Sequence, residues 1–113
     1  MTLPVLDVGL FGELEGLGED VLRCVVDEYR SEGRRYLQDI QQAVAEGDAQ
    51  RWQRSAHALK GASSSVGALR VAHAARGLEH ATTVEGREDV DRLVNAFAEA
   101  TAVIGQRAPD ARR

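Results

Sequence analysis

Ala56-His57-Ala58-Leu59-Lys60-Gly61-Ala62-Ser63-Ser64-Ser65-Val66-Gly67 is the stretch from which the rest of the chain is read. At about 100° per residue, a helix through it puts His57, Lys60, Gly61, Ser64 and Ala68 on one face. Trp52, Ala56, Leu59, Ser63 and Val66 fall on another face, apolar enough to be core. The first face holds the charged, nucleophilic and sterically open groups. Glycine inside a helix costs about 1 kcal/mol relative to alanine, so Gly61 points to a steric requirement. A histidine beside that glycine, one turn from a lysine, can be reached by a second protein. Ser63 and Ser65 read as packing or as bonding to helix carbonyls, and the same caution applies in part to Ser64.

Outward from this stretch the pattern stays helical. Asp7 caps a short helix over residues 7–15 (Leu10, Phe11, Leu14), and Gly16 and Gly18 break it. From Glu19 to Glu46 an apolar stripe runs through Val21, Leu22, Val25, Val26, Tyr29, Tyr36, Leu37, Ile40 and Val44. Gly33 interrupts it as a weak point in one continuous helix. Gly47 ends that helix and Asp48 caps the next, which carries His57 over residues 49–66. Gly67 closes it. Ala68 to Val84 forms a fourth helix, Glu85-Gly86 a turn, and residues 87–106 a last helix striped by Val90, Leu93, Val94, Phe97, Thr101 and Ile104. Residues 107–113 read as a frayed tail. The expected fold is all-α: an antiparallel four-helix bundle with an additional short N-terminal helix. It is one domain over residues 1–113, with its core over about 5–106.

Composition narrows the function. Aromatic residues are only 4% of the chain, so Leu, Val, Ile and Ala must build the core. The net charge of −4 argues against nucleic acid, which selects basic surfaces. No apolar run reaches the length of a membrane span, and the N-terminus lacks the order of a signal peptide. Cys24 is the single cysteine, which excludes an internal disulfide and fits a reducing cytoplasm. Set among Val21, Leu22, Val25 and Val26, it reads as a small buried residue. His73 and His80 are two helical turns apart, too far to share a metal, and no His-x-x-x-His or Cys pair suggests zinc. The Gly61–Gly67 segment lacks the Gly-Lys-Ser/Thr ending and preceding strand of a phosphate loop.

Ala56-His57-x-Leu59-Lys60-Gly61-x-Ser63-x-x-x-Gly67-Ala68, followed by Leu78-Glu79, resembles the signature of histidine-containing phosphotransfer (HPt) domains. The Ala45-Glu46-Gly47-Asp48 turn and the long amphipathic segment before it also fit that family. The resemblance covers most of residues 5–105. It implies that His57 receives a phosphoryl group on Nε2 from a receiver-domain aspartate and passes it to another receiver. It implies that Lys60 neutralises phosphoryl oxygens, that Gly61 leaves room for the partner, and that Ser64 can offer a hydroxyl. Glu79 would accept a hydrogen bond from Nδ1–H, fix the tautomer and stabilise the charge that develops on the ring. The implied partners are response-regulator receiver domains and a hybrid sensor histidine kinase. The chain itself would bind no cofactor, Mg²⁺ being expected in the partner receiver. It would be a cytoplasmic monomer without kinase activity, since no ATP-binding motif is present. The Ala, Arg and Gly richness points to a high-GC bacterium. Docking would use the His57 face and an apolar patch of Ala68 with Leu10, Phe11 and Leu14.

A competing reading is a non-phosphorylated docking or inhibitory module, in which His57 is dispensable. A histidine-based phosphatase ranks last, because hydrolysis needs a second positioned acid or base and only Lys60 shares the face.

Overall fold

The computed structural model describes residues 2–84 and 87–107. Five helices follow in order: α1 (Val8–Glu15), α2 (Glu19–Glu46), α3 (Ala49–Val66), α4 (Leu69–His80) and α5 (Glu88–Arg107). No strand occurs among the described residues. α2 packs on α3, α3 on α4 and α4 on α5. α5 returns to α2, so the four long helices close a ring. α1 touches α2 and α3.

Local signals set the boundaries. The Asp7 carboxylate accepts from the Leu10 amide at 3.1 Å, and that of Asp48 accepts from the Arg51 amide at 3.2 Å. Such caps satisfy amide groups that have no partner within the helix, each contributing about 1 kcal/mol. Gly67 ends α3 with φ 79°, a left-handed conformation that glycine adopts without strain. Its carbonyl accepts from the Asp7 amide at 2.8 Å, which ties the start of α1 to the α3–α4 turn.

The stripes meet inside the ring. Leu59, Val71, Leu78, Leu93 and Ile104 are at most 1% exposed, one layer drawn from three helices. Burying each aliphatic side chain contributes about 1.5–3 kcal/mol. Leu6 and Phe11 join this core from the N-terminal segment. Tyr29 and Ser63 are buried together and share a hydrogen bond of 2.7 Å between α2 and α3. Burial pushes the Tyr29 hydroxyl up to about 12. Gly33 lies within an unbroken α2, and its role is close approach. A Cβ there would lie 2.3 Å from Phe97 Cε1 of α5.

Several expectations need correction. α4 ends at His80, not Val84. Ala81 turns extended, and its carbonyl accepts from Trp52 Nε1 at 3.2 Å and Gln53 Nε2 at 2.7 Å. Those two α3 side chains hold the chain out of a further turn. Cys24 is exposed, because it stands about 200° around α2 from both Leu22 and Val26. Val21 is 46% exposed and lies outside the buried stripe. Arg107 belongs to α5 and reaches Glu15 of α1 at 2.8 Å, so it is no part of a tail. Glu85-Gly86 and residues 108–113 lie outside the described residues.

Candidate functional site

α3 has its buried side in Trp52, Ser55, Ala56, Leu59, Ser63 and Val66. That fixes the opposite side outward. There the His57 side chain is 69% exposed. Gly61, one turn further on, is also exposed, and a Cβ built on it meets no atom within 4 Å. Nothing inside the molecule therefore requires glycine at this position. Gly77 in α4 is open in the same way. The position of Gly61 one turn from His57, rather than openness alone, sets it apart.

Glu79 comes from α4. Its Oε1 lies 2.5 Å from His57 Nδ1, and its Oε2 lies 2.6 Å from Lys60 Nζ. The Lys60 ammonium, and then the His57 hydrogen bond, hold the Glu79 carboxyl down at about 2 against a partial burial that opposes the shift. The carboxylate is thus ionised and can only accept, so the proton between Oε1 and Nδ1 belongs to the imidazole. With Nδ1 protonated, the neutral ring carries its lone pair on Nε2, the nitrogen on the edge away from Glu79. One carboxylate thereby fixes the tautomer, orients the ring and takes up the lysine charge. The site can present an imidazole nucleophile with a counter-charge behind it for the cation that forms on attack.

His57, Lys60, Gly61 and Glu79 therefore come together as the sequence spacing implies, across the α3–α4 pair. Ser64 is exposed further along the same helix. Ser65 Oγ donates to the Gly61 carbonyl at 3.0 Å, as expected of a serine that bonds its own helix. Ala68 does not share the site. It is fully buried, because the left-handed turn at Gly67 ends the helical face before reaching it. Phe11 is likewise fully buried, under Arg107 at 5.8 Å from its ring centre, and cannot belong to a docking patch. Leu10 and Leu14 are half-buried. The sequence reading missed Arg54, which lines a hollow beside the ring together with Gln50, Gln53, His57 and Glu79. Its place one turn before His57 was the available signal.

Among the described residues no group of three or more His, Cys, Asp or Glu side chains could hold a metal ion. No helix is long and apolar enough to cross a membrane.

Comparison with known proteins gives two matches. The sequence model of the Hpt domain matches residues 25–106. The crystal structure of histidine-containing phosphotransfer protein B (HptB) from Pseudomonas aeruginosa PAO1 superposes with a TM-score of 0.81 at 24% identity. That match covers 94% of this chain and 96% of the other. No curated protein sequence matches the chain.

Proposed function

The chain belongs to the Hpt domain family, the histidine phosphotransfer modules of phosphorelays, and from that premise we propose that His57 is its phosphoacceptor. The observation that carries this is the exposed imidazole with Nδ1 anchored on Glu79. The four long helices, joined by short connections and closing a ring, are read as an antiparallel four-helix bundle with His57 on its outer surface.

The reaction follows from the geometry. A receiver-domain aspartyl phosphate is an acyl phosphate. Nε2 attacks its phosphorus in line, the N–P bond forms, and the P–O bond to the aspartate breaks. The aspartate leaves as carboxylate, and the imidazole becomes cationic with its Nδ1 proton facing Glu79. Such transfer depends mostly on positioning and charge neutralisation. Glu79 supplies both on the histidine side. Lys60 balances Glu79 and stands one turn from the ring, within the phosphoryl group's field. Gly61 leaves the approach open, and Ser64 offers a hydroxyl on the same face. The reverse path hands the group to a second receiver.

The chain carries no ATP-binding motif, so the kinase step falls to a hybrid sensor histidine kinase. Mg²⁺ is placed in the receiver, whose aspartate it would serve. The fit supports this, because the one acidic group beside His57 is already engaged by Lys60 and the ring itself. A monomer in a bacterial cytoplasm is the setting that the single cysteine and the composition favour.

The test is phosphate uptake from a panel of phosphorylated receiver domains, wild type beside His57→Gln. Acid-labile, base-stable label on wild type alone is expected. Binding to receivers without label would replace this reading with that of a docking module.

A further inference from the structure

Lys60 is committed: its ammonium sits 2.6 Å from Glu79. A phosphoryl group on Nε2 brings two negative charges to the other edge of the ring, and one uncommitted cation lines the hollow there. We propose that Arg54 is a phosphoryl-binding residue, closing on the oxygens of the group carried by His57. The proposal rests on His57 being the acceptor and adds a contact to that site.

Helical side chains lean toward the N-terminus, so the His57 ring lies over the turn formed by residues 53 and 54. Arg54 lines the same hollow as the ring and Glu79. It is exposed and makes no hydrogen bond or ion pair among the described residues. Its nearest acidic competitor is Asp39, whose charge it feels. Asp39 is already engaged. Arg51 Nε donates to its Oδ1 at 2.9 Å, and Ser55 Oγ donates to its Oδ2 at 2.5 Å. The remaining polar lining is amide. Gln53 spends its donor on the Ala81 carbonyl at 2.7 Å. Arg54 is thus free to swing, and its planar fork suits two phosphoryl oxygens. The arrangement divides the charges by ring edge. Glu79 with Lys60 manages the Nδ1 side, and Arg54 manages the Nε2 side.

The probe is phosphoramidate, a small anionic donor that needs no partner protein. Nε2 attacks its phosphorus, the P–N bond breaks and ammonia leaves, while the Nδ1 proton stays on the ring. Label lost in His57→Gln defines uptake at His57. Rates are compared for wild type, Arg54→Ala, Arg54→Lys and Arg34→Ala. Arg34 is an exposed arginine of α2 outside the hollow, so its loss changes net charge equally. Arg54→Ala should slow uptake about threefold at low ionic strength, the size of one unit-charge interaction at roughly 6 Å in water. The difference should vanish near 1 M salt, where the Debye length is only about 3 Å. Arg54→Lys should hold within the wild-type range, and so should Arg34→Ala. Equal rates for Arg54→Ala and wild type, or an equal loss in Arg34→Ala, would overturn the assignment of Arg54 and leave His57 as acceptor. Absence of any label that depends on His57 would overturn the acceptor reading itself, and this assignment with it.

Discussion

Two glycines inside helices make opposite predictions for the same substitution. At Gly61 an added methyl meets nothing within 4 Å, so Gly61→Ala should bring only the helix-propensity gain. That gain is about 1 kcal/mol, partly from lowering the freedom of the unfolded chain. For a chain of 113 residues it corresponds to a rise in Tm of about 4 °C. At Gly33 the same methyl lands 2.3 Å from Phe97 Cε1. Phe97 is only 6% exposed, and its ring centre lies 5.5 Å from that of Tyr29. It cannot retreat without disturbing the Tyr29–Ser63 pair. The overpacking cost of about 1–3 kcal/mol should therefore exceed the helix gain, and Gly33→Ala should melt lower than wild type. Thermal unfolding followed by circular dichroism reads both. The functional half uses Gly61→Val in a transfer assay with a phosphorylated receiver. It should fold and transfer more slowly than Gly61→Ala, because the branched side chain fills the approach to His57. A lower Tm for Gly61→Ala would mean that the site is not open. Wild-type transfer by Gly61→Val would remove the steric reason for the glycine.

His57→Gln should abolish phosphate acceptance with no change in Tm, since the ring is exposed; a large fall in Tm would place His57 in the core. Glu79→Gln should slow transfer on the order of tenfold by removing the counter-charge to the cationic ring; unchanged kinetics would reduce Glu79 to a surface partner of Lys60. The Glu79 carboxyl titrates at about 2 in the folded chain against an ordinary 4.5, so its contribution to stability is complete above about 4.5 and is lost as pH falls toward 2. Acid unfolding should accordingly show wild type losing its advantage over Glu79→Gln across that window, and parallel curves would contradict the pairing. Tyr29→Phe leaves the buried Ser63 hydroxyl without its cross-helix partner and should cost about 1–3 kcal/mol by denaturant unfolding, with a smaller loss when Ser63→Ala is added.

The parts of the fold written locally in the sequence were legible from it. Asp7 and Asp48 cap as their types and positions demand, and Gly47 and Gly67 end their helices. The inward and outward faces of α3 follow from spacing alone, because one unbroken helix obeys one period. Reading failed where that period was carried past a helix end or across a whole segment. Ala68 shares an angle with His57 only on a helix that has already stopped. The end of α4 depends on two side chains of α3, which no local signal in residues 81–84 announces. Cys24 was misread for a different reason. Its neighbours in sequence are apolar, but its angle around α2 is not theirs, and the period could have placed it. Phe11 reads equally well as core or as docking surface until the α1 packing is known. Within the site, His57, Lys60 and Gly61 sit on one helix and could be found by spacing. The reach of Glu79 across to α3 came from family resemblance, and Arg54 emerged only when the hollow beside the ring had walls.

The tie between Asp7 and Gly67 bears on where this module may be cut. Family similarity begins at residue 25, inside α2. Yet Leu6 and Phe11 are 5% and 0% exposed, and Glu15 holds the far end of α5 through Arg107. A fusion or shuffled gene that kept only the recognisable region would sever α2 near its start and strip a wall from the core. The transplantable unit is therefore longer than the conserved-looking one, and the first helix has to travel with the histidine it never touches.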